Sequence, residues 1–170
     1  LEGLGFELMI DAGIRSAASA RQLAVELDGD LIAALETLPA PALLAELVDE
    51  LGAGRLIFSL DLADGRPLAP GDDWPSEAEE IAREAVSAGV ERLILLDLKA
   101  VGTGEGPAHL ERCAALKASY AGLELVTGGG VRDLDDLLAL RSAGVDGVLV
   151  ASALHDGRLG PEELEGLLEA

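Results

Sequence analysis

Short β-favouring runs and amphipathic helical segments alternate along this chain without exception, and this alternation is its most constraining feature. The predicted strands are residues 6–10, 31–35, 55–60, 92–96, 123–126 and 147–150. The predicted helices are residues 17–27, 41–51, 76–88, 107–118, 134–142 and 161–168. Strict βα alternation leaves two architectures, an open doubly wound sheet or a closed barrel, and periodicity alone does not choose between them.

The composition favours an α/β fold over a β-sandwich. Apolar residues make up 49% of the 170 residues, but aromatic residues only 2%. Short aliphatic side chains of this kind fill the space between helices and a sheet that is buried on both faces. The chain length predicts one domain, over residues 1–170.

The charge balance limits the classes of partner. The 32 acidic residues outnumber the 12 basic ones and give a formal net charge of −20, which opposes binding to nucleic acid or to an anionic membrane. No apolar run reaches the roughly 18 residues of a membrane span, and no signal-peptide pattern is present. The single Cys113 cannot form an internal disulfide and is interpreted as a packed thiol. We therefore expect an acidic cytoplasmic protein.

Two strand-to-helix junctions repeat each other at an offset of 117 residues. The first reads Asp11-Ala12-Gly13-Ile14-Arg15-Ser16, and the second reads Gly128-Gly129-Gly130-Val131-Arg132-Asp133. In a half-barrel duplicated in tandem, this offset corresponds to about four βα units. The two junctions would then follow strands three and seven of a barrel.

Three longer segments carry a pattern with a specific order and spacing. They are Phe58-Ser59-Leu60-Asp61 with Asp64-Gly65-Arg66 after it, the run LELVTGGGVR at 123–132, and the run GVDGVLVASAL at 144–154. Together they resemble the HisA and HisF barrel enzymes of histidine biosynthesis and their divergent relatives. The resemblance implies a TIM (βα)8-type barrel, present here as about six βα units that correspond to strands three to eight of the family.

The resemblance also implies that the first two βα units are absent from this sequence. Residues 1–5 are interpreted as the end of the second helix, and the first-strand catalytic Asp has no counterpart. Two strand edges would then need cover from a missing N-terminal segment, a partner chain, a homo-oligomer or a rearranged sheet. Because one carboxylate is lacking, we expect no turnover by this chain alone.

Gly128, Gly129 and Gly130 are the strongest candidate site residues. At the junction of a strand and a helix, backbone amides without a Cβ can approach a phosphate closely. The resemblance assigns the other half of this phosphate site to Ala151 and Ser152. The alternative is a plain glycine turn.

A twin phosphate site after strands three and four is also implied by the resemblance. It makes Asp11, Gly13 and Arg15 candidate substrate-binding residues. Asp11 and Glu36 would repel a phosphate at that position, so a substrate with phosphates at both ends is in doubt. Alternatively, one of these two carboxylates pairs with Arg15.

The candidate catalytic residues are Asp61, Asp97 and Thr103. The isomerase of the family moves a proton between C1 and C2 of an aminoaldose with two carboxylates whose pKa values differ. Asp61 is predicted to end a strand before a loop and matches the family's second catalytic Asp; a loop cap or an ion pair with Arg66 is the alternative. Asp97 matches the Asp of a Thr-Asp motif in which Leu96 replaces the Thr. Thr103 could donate a hydroxyl to a ligand; a plain turn between Gly102 and Gly104 is the alternative.

Two further residues are candidates for substrate binding. Trp74 lies in the long loop after Asp61, where the isomerases carry a Trp that stacks on substrate; a hydrophobic plug under the loop is the alternative. Lys99 is a candidate ligand for an anion or for Asp97, with a solvated surface role as the alternative.

The sequence predicts neither a cofactor nor a metal site. His109 and His155 have no ligand spacing to Cys113 or to each other, and the glycines at 102–106 lack the spacing of a nucleotide-binding loop. The predicted partner is a phosphorylated small molecule. The predicted function is that of a HisA-like aldose-ketose isomerase, and the alternatives are a non-catalytic phosphate-binding or scaffold barrel and a HisF-like cyclase.

Overall fold

The computed structural model describes residues 6–169, so the helix end predicted at residues 1–5 lies outside the described part. The strands are β1 (Met9–Asp11), β2 (Asp30–Ala34), β3 (Leu56–Ala63), β4 (Arg66–Pro67), β5 (Arg92–Asp97), β6 (Glu124–Gly128) and β7 (Gly147–Leu149). The helices are α1 (Ala17–Glu26), α2 (Pro41–Leu51), α3 (Ala78–Ser87), α4 (Leu110–Ser119), α5 (Leu134–Ser142), α6 (Ser152–His155) and α7 (Pro161–Glu169). A 3-10 helix covers Leu35–Thr37.

The strands follow the order β1-β2-β3-β5-β6-β7, and β4 pairs with β3. The pairs β1–β2, β2–β3 and β6–β7 are parallel, with registers such as Met9 opposite Asp30, Leu31 opposite Leu56 and Val126 opposite Gly147. Parallel strands joined by helices are repeated βα units. The predicted fold class, six βα units of the (βα)8-barrel type, is therefore confirmed.

The helix ends follow signals that can be read from the sequence. Ser16 and Asp133 are N-caps of α1 and α5, and their side chains accept hydrogen bonds from the amides of Ser19 and Asp136. Pro41 occupies the first turn of α2, where its missing N–H costs nothing. The predicted bounds of α2 and α5 are confirmed residue for residue.

Several predicted boundaries are wrong. The first strand begins at Met9, not at residue 6, and the third extends to Ala63, not to residue 60. The third strand is longer because Asp64 and Gly65, with φ values of 52° and 76°, form a two-residue turn that leads into β4. An Asp-Gly pair favours such a hairpin turn because both positions need positive φ.

The start of α4 and the existence of α6 also differ from prediction. α4 begins at Leu110, not at residue 107. Gly106 donates a hydrogen bond from its amide to the Gly130 carbonyl, at 2.9 Å, so residues 107–109 belong to the loop instead of the first helical turn. α6 is a four-residue helix that the sequence analysis did not predict.

The described chain divides into two compact units. The first holds the residues up to Leu60 together with Pro67–Leu93, and the second holds Asp61–Arg66 together with the residues from Ile94 onward. In the first unit, Arg55 donates hydrogen bonds to the carbonyls of Ala24, Leu27 and Gly29 and so fixes the end of α1. A single domain over residues 1–170 stays a prediction.

The second unit contains β6, β7 and the helices from α4 onward. Asp146, just before β7, accepts hydrogen bonds from the Leu125 amide at 2.8 Å and from Lys117 Nζ at 2.7 Å. Burial is the largest single influence on the pKa of Asp146 and raises it, but these hydrogen bonds together hold the pKa below its ordinary value. Among residues 6–169, no helix is long and apolar enough to cross a membrane.

Candidate functional site

A cavity of about 250 Å³ in the second unit brings together glycines from two loops and the start of α6. We call it the glycine cavity. Its lining residues are Leu96, Val101, Gly102, Gly104, Gly129, Gly130, Val131, Leu149, Val150, Ala151 and Ser152. Four of the five predicted phosphate-binding residues, namely Gly129, Gly130, Ala151 and Ser152, therefore lie around one cavity.

Gly129 and Gly130 are glycines for a physical reason. Their φ values are 88° and 79°, in the left-handed region that disfavours other residues. A Cβ on Gly130 would lie 2.2 Å from the Gly106 carbonyl oxygen, and a Cβ on Gly129 would lie 3.2 Å from the Ala100 Cβ. Any side chain here would push the facing loop away.

Gly128 has a different role from its two neighbours. It is the last residue of β6 and is not among the residues that line the cavity. A Cβ at this position would lie 2.8 Å from the Leu149 Cβ, so the glycine allows β6 to pack closely against β7. The structure thus gives Gly128 a packing role, and its assignment to phosphate binding stays a prediction.

The glycine cavity offers backbone amides and one hydroxyl to a ligand. Within residues 6–169, the amides of Gly102, Gly129 and Ser152 donate no hydrogen bond to another residue. The remaining lining side chains are aliphatic, and none is ionisable. Arg158 lies beside the cavity, with its Nη1 3.7 Å from where a Cβ on Gly104 would stand, but it pairs with Asp156 and donates to the Arg132 carbonyl, both at 3.2 Å. Backbone amides with no carboxylate among the lining side chains suit a small anion.

Arg132 belongs to the repeated Gly-Val-Arg junction, but its guanidinium pairs with Asp136 and not with a group of the glycine cavity. It donates from Nε and Nη2 to the two oxygens of Asp136, at 2.9 and 2.7 Å, which is a bidentate pair. The hydrogen bond from Arg132 is the main cause that lowers the pKa of Asp136. The guanidinium therefore serves to fix the start of α5.

Asp97 is the last residue of β5 and is almost fully buried, with 3% of its surface exposed. Its Oδ1 accepts hydrogen bonds from the amides of Asp64 at 3.2 Å and Lys99 at 2.9 Å. Its Oδ2 accepts from the Gly65 amide at 2.7 Å and lies 2.9 Å from His109 Nε2. Asp97 thus joins the turn between β3 and β4 to the loop that precedes α4.

Two opposing influences act on the pKa of Asp97. Burial is the largest single influence and raises the pKa. The hydrogen bonds from His109 and the three amides together outweigh burial and hold the pKa below its ordinary value. Asp97 is accordingly a carboxylate at neutral pH.

Leu96 and Asp97, which stand where the family has its Thr-Asp motif, line two different cavities. Leu96 lines the glycine cavity, whereas Asp97 lines a separate cavity of about 390 Å³ together with Lys99, Thr103 and His109. Neighbouring residues of a strand point to opposite faces, which explains the division. Asp97, Lys99 and Thr103 are therefore brought together, but not with the glycines.

Thr103 and Lys99 occupy exposed positions in the loop after β5. The Thr103 hydroxyl donates to the Ala100 carbonyl at 3.0 Å and accepts from the Glu105 amide at 3.3 Å, which makes it part of a local turn. The Lys99 amide, not its ammonium group, contacts Asp97. Their assigned roles in catalysis and substrate binding stay predictions.

Asp61 lies inside β3, two residues before the strand ends, and 6% of its surface is exposed. The prediction that it ends the strand is wrong, because the Asp64-Gly65 turn prolongs β3. Asp61 is not among the residues that line the glycine cavity. Asp61 lies near the carboxyl end of a parallel strand, and its catalytic role stays a prediction.

Trp74 packs in the first unit as a core residue. It is 5% exposed, its ring stacks on Phe58 with centroids 5.8 Å apart, and its Nε1 donates to the Leu38 carbonyl at 2.7 Å. This geometry favours the alternative interpretation, a hydrophobic plug, over stacking on a substrate.

The residues of the predicted twin site lie at an exposed junction. Asp11 is the last residue of β1, and its Oδ1 accepts a hydrogen bond from the Gly13 amide at 2.9 Å. Arg15 and Glu36 are exposed, and no ion pair joins Arg15 to Asp11 or Glu36 within the described residues. The twin site stays a prediction.

The sequence analysis set His109 aside as an isolated histidine, but the structure pairs it with Asp97. The two residues are 12 positions apart, and the intervening loop follows neither helical nor strand periodicity. In the sequence, the signal for this pairing is the glycine-rich loop between the two residues, which allows the chain to turn back. Among residues 6–169, no cluster of His, Cys, Asp and Glu could hold a metal ion.

Known proteins resemble this chain over most of its length. The profile of the histidine biosynthesis protein family matches residues 1–160. This chain belongs to that family. The resemblance noted in the sequence is thereby confirmed.

Its relatives include proteins named 1-(5-phosphoribosyl)-5-((5-phosphoribosylamino)methylideneamino) imidazole-4-carboxamide isomerase. The one from Bacteroides fragilis is 31% identical over 130 residues, which are 75% of this chain and 54% of the relative. The one from Prochlorococcus marinus is 31% identical over 167 residues, which are 94% of this chain and 64% of the relative. The one from Deinococcus radiodurans is 31% identical over 163 residues, which are 92% of this chain and 66% of the relative. The matched segments thus span 54% to 66% of these relatives.

Proposed function

We propose that the protein containing this chain is a HisA-like isomerase that binds a phosphorylated aminoaldose or a related small metabolite. The names of its relatives support the reaction class, since they are isomerases of a compound with two phosphoribosyl groups. The observation that carries the proposal is the glycine cavity, where Gly129, Gly130, Ala151 and Ser152 meet.

The phosphate would be held by backbone amides of the glycine cavity and by the Ser152 hydroxyl. Those amides are available, because none of Gly102, Gly129 and Ser152 uses its amide in a hydrogen bond within residues 6–169. No lining side chain of the glycine cavity carries a negative charge, so the net charge of −20 does not act on a ligand through a contacting carboxylate.

Asp61 would serve as one of the two groups that move a proton between C1 and C2 of the sugar. Its burial and its position near the carboxyl end of β3 support this role. Asp97 accepts hydrogen bonds from His109 and three amides, an arrangement that holds the surrounding turn and loop.

Phosphate binding is tested with a matched pair of serine variants. Ser152→Asp places a carboxylate beside the phosphate, whereas Ser76→Asp makes the same charge change at an exposed position before α3. We expect Ser152→Asp to weaken the binding of ribose 5-phosphate by at least about ten-fold in calorimetry, and Ser76→Asp to leave it unchanged. Equal affinities for the two variants would place the phosphate elsewhere.

Turnover is tested with Asp61→Asn in the whole protein that contains this chain, because we expect no turnover by this chain alone. The variant is expected to lose isomerisation of the relatives' substrate and to keep its affinity for ribose 5-phosphate. Retained turnover would exclude Asp61 as a proton-transfer group.

A second candidate function is phosphate binding without catalysis. Two observations favour it: Asp97 is hydrogen-bonded to His109, and the aliphatic Leu96 lines the glycine cavity. Binding without turnover by the unaltered protein would support it.

We also propose a cytoplasmic location. The free and buried Cys113 is compatible with a reducing compartment, and burial raises the pKa of its thiol. Fractionation of the source cells tests this point, since recovery of the protein outside the cytoplasmic fraction would argue against it.

A further inference from the structure

We propose that His109 is a positioning residue for the phosphate site, acting through Asp97 on the loop of residues 97–106, which we call the clasp loop. The inference rests on the proposed phosphate binding in the glycine cavity. His109 itself does not line that cavity, so the argument follows the contacts that connect the two.

The first step is the pairing of His109 with Asp97. The His109 Nε2 lies 2.9 Å from Asp97 Oδ2, and their side chains are 17% and 4% exposed. Because Asp97 is ionised at neutral pH, the His109 ring nitrogen that faces it must be the donor. His109 thereby anchors the carboxylate from the side of α4.

The second step leads from Asp97 into the clasp loop. Asp97 Oδ1 accepts from the Lys99 amide at 2.9 Å, and the Asp97 carbonyl accepts from the Ala100 amide at 3.1 Å. The Thr103 amide and hydroxyl both donate to the Ala100 carbonyl, at 3.3 and 3.0 Å. These bonds set the conformation of the first half of the loop.

The third step is the contact of the clasp loop with the two glycines. Near its start, the Asp97 carbonyl oxygen and the Ala100 Cβ lie 3.3 and 3.2 Å from where a Cβ on Gly129 would stand. At its end, the Gly106 amide donates to the Gly130 carbonyl at 2.9 Å. The loop therefore touches the Gly129-Gly130 turn at both ends.

The clasp loop also forms one wall of the glycine cavity. Val101, Gly102 and Gly104 lie on this wall, and a Cβ on Gly102 would stand 3.9 Å from Ser152 Oγ. A shift of the loop would change the width of the cavity beside Ser152 and the amides of Gly102 and Gly129. His109 holds this loop through its hydrogen bond to Asp97 and does not line the glycine cavity itself.

The test compares His109→Ala with His109→Gln and with a matched control, Lys117→Ala. Lys117 lies on α4, is also 17% exposed, and pairs with Asp146 at 2.7 Å, far along the helix from the clasp loop. Glutamine can donate a hydrogen bond to Asp97 in place of histidine, whereas alanine cannot. Ribose 5-phosphate affinity is measured by calorimetry under conditions in which each variant is folded.

We expect His109→Ala to bind ribose 5-phosphate about ten-fold more weakly than the unaltered protein. His109→Gln should recover most of this affinity, and Lys117→Ala should bind normally even if it loses a similar stability. Amide hydrogen exchange should accelerate at Lys99 and Gly106 in His109→Ala only, since local opening exposes amides that are protected by the loop contacts.

The outcomes separate this inference from the proposed function. If the unaltered protein binds no ribose 5-phosphate, the proposed phosphate site fails and the inference fails with it. If the unaltered protein binds but His109→Ala and Lys117→Ala have the same affinity, only the role of His109 is overturned. If His109→Ala does not fold, failure of the folded His109→Gln variant to keep loop protection and affinity overturns the inference.

Discussion

Asp97 is a buried carboxylate that receives hydrogen bonds from a turn, from its own loop and from a histidine. Burying an ionised carboxylate is unfavourable unless hydrogen bonds replace its hydration. Here they do, so the charged form is the stabilising one and the pKa of Asp97 lies below its ordinary value. The hydrogen bonds of this one residue connect the β3–β4 turn, the clasp loop and His109 beside the candidate site.

The variant Asp97→Asn is expected to destabilise the protein by about 2–4 kcal/mol at pH 7, because the amide nitrogen cannot accept the hydrogen bonds made to one carboxylate oxygen. A group with a lowered pKa in the folded state stabilises the fold at pH values above its unfolded pKa, which is about 3.9 for Asp. This contribution is lost as the pH falls through the folded pKa. The acid dependence of urea unfolding should therefore be shallower in Asp97→Asn. An unchanged acid dependence would contradict the assigned pKa direction.

Trp74 is expected to matter for stability and not for ligand binding. Trp74→Phe keeps the stacking on Phe58 but removes the donor to the Leu38 carbonyl, and Leu38 is fully buried. An unpaired buried carbonyl costs about 1–3 kcal/mol, which urea unfolding can measure. Calorimetry with ribose 5-phosphate should give the unaltered affinity. A selective loss of affinity would restore Trp74 as a substrate-binding residue.

The β3–β4 hairpin determines where the candidate residue Asp61 lies within its strand. Its two-residue turn has positive φ at both Asp64 and Gly65, and Asp97 accepts the amide hydrogens of both. Because β3 continues to this turn, Asp61 lies within the strand and not at its end. The turn and the clasp loop are thus held by the same carboxylate.

Gly65→Ala is expected to destabilise the hairpin by about 1 kcal/mol, since φ at this position is 76° and L-residues other than glycine disfavour that region. The expected loss of stability does not come from a steric clash, because an added Cβ would meet only His109 Cε1, at 3.7 Å. Gly54→Ala is the control, because an added Cβ there contacts nothing within 4 Å and φ lies outside the left-handed region. Thermal unfolding should show a loss for the first variant only.

The net charge of −20 acts on the molecule as a whole. Self-repulsion among like charges favours expansion of the chain, and salt screens it over about 10 Å at 0.1 M ionic strength. The described ion pairs, such as Arg132 with Asp136 and Lys117 with Asp146, neutralise only part of the acidic excess.

We therefore expect the free energy of unfolding to rise when sodium chloride increases from about 0.02 M to about 0.5 M. Urea unfolding at both salt concentrations measures this change, and the same experiment with an uncharged osmolyte controls for solvent effects. A decrease in stability with salt would show that attractive ion pairs outweigh the net repulsion.

The sequence by itself determined the βα order, the family and the bounds of helices such as α2 and α5, because periodicity, caps and glycine junctions are local signals. It also singled out Gly129, Gly130, Ala151 and Ser152, which line one cavity. Only the tertiary structure placed Leu96 and Asp97 in different cavities, gave Trp74 a partner at Leu38 and joined Asp97 to His109. These contacts depend on which face a strand presents and on where a loop returns, and neither is encoded in a single local pattern.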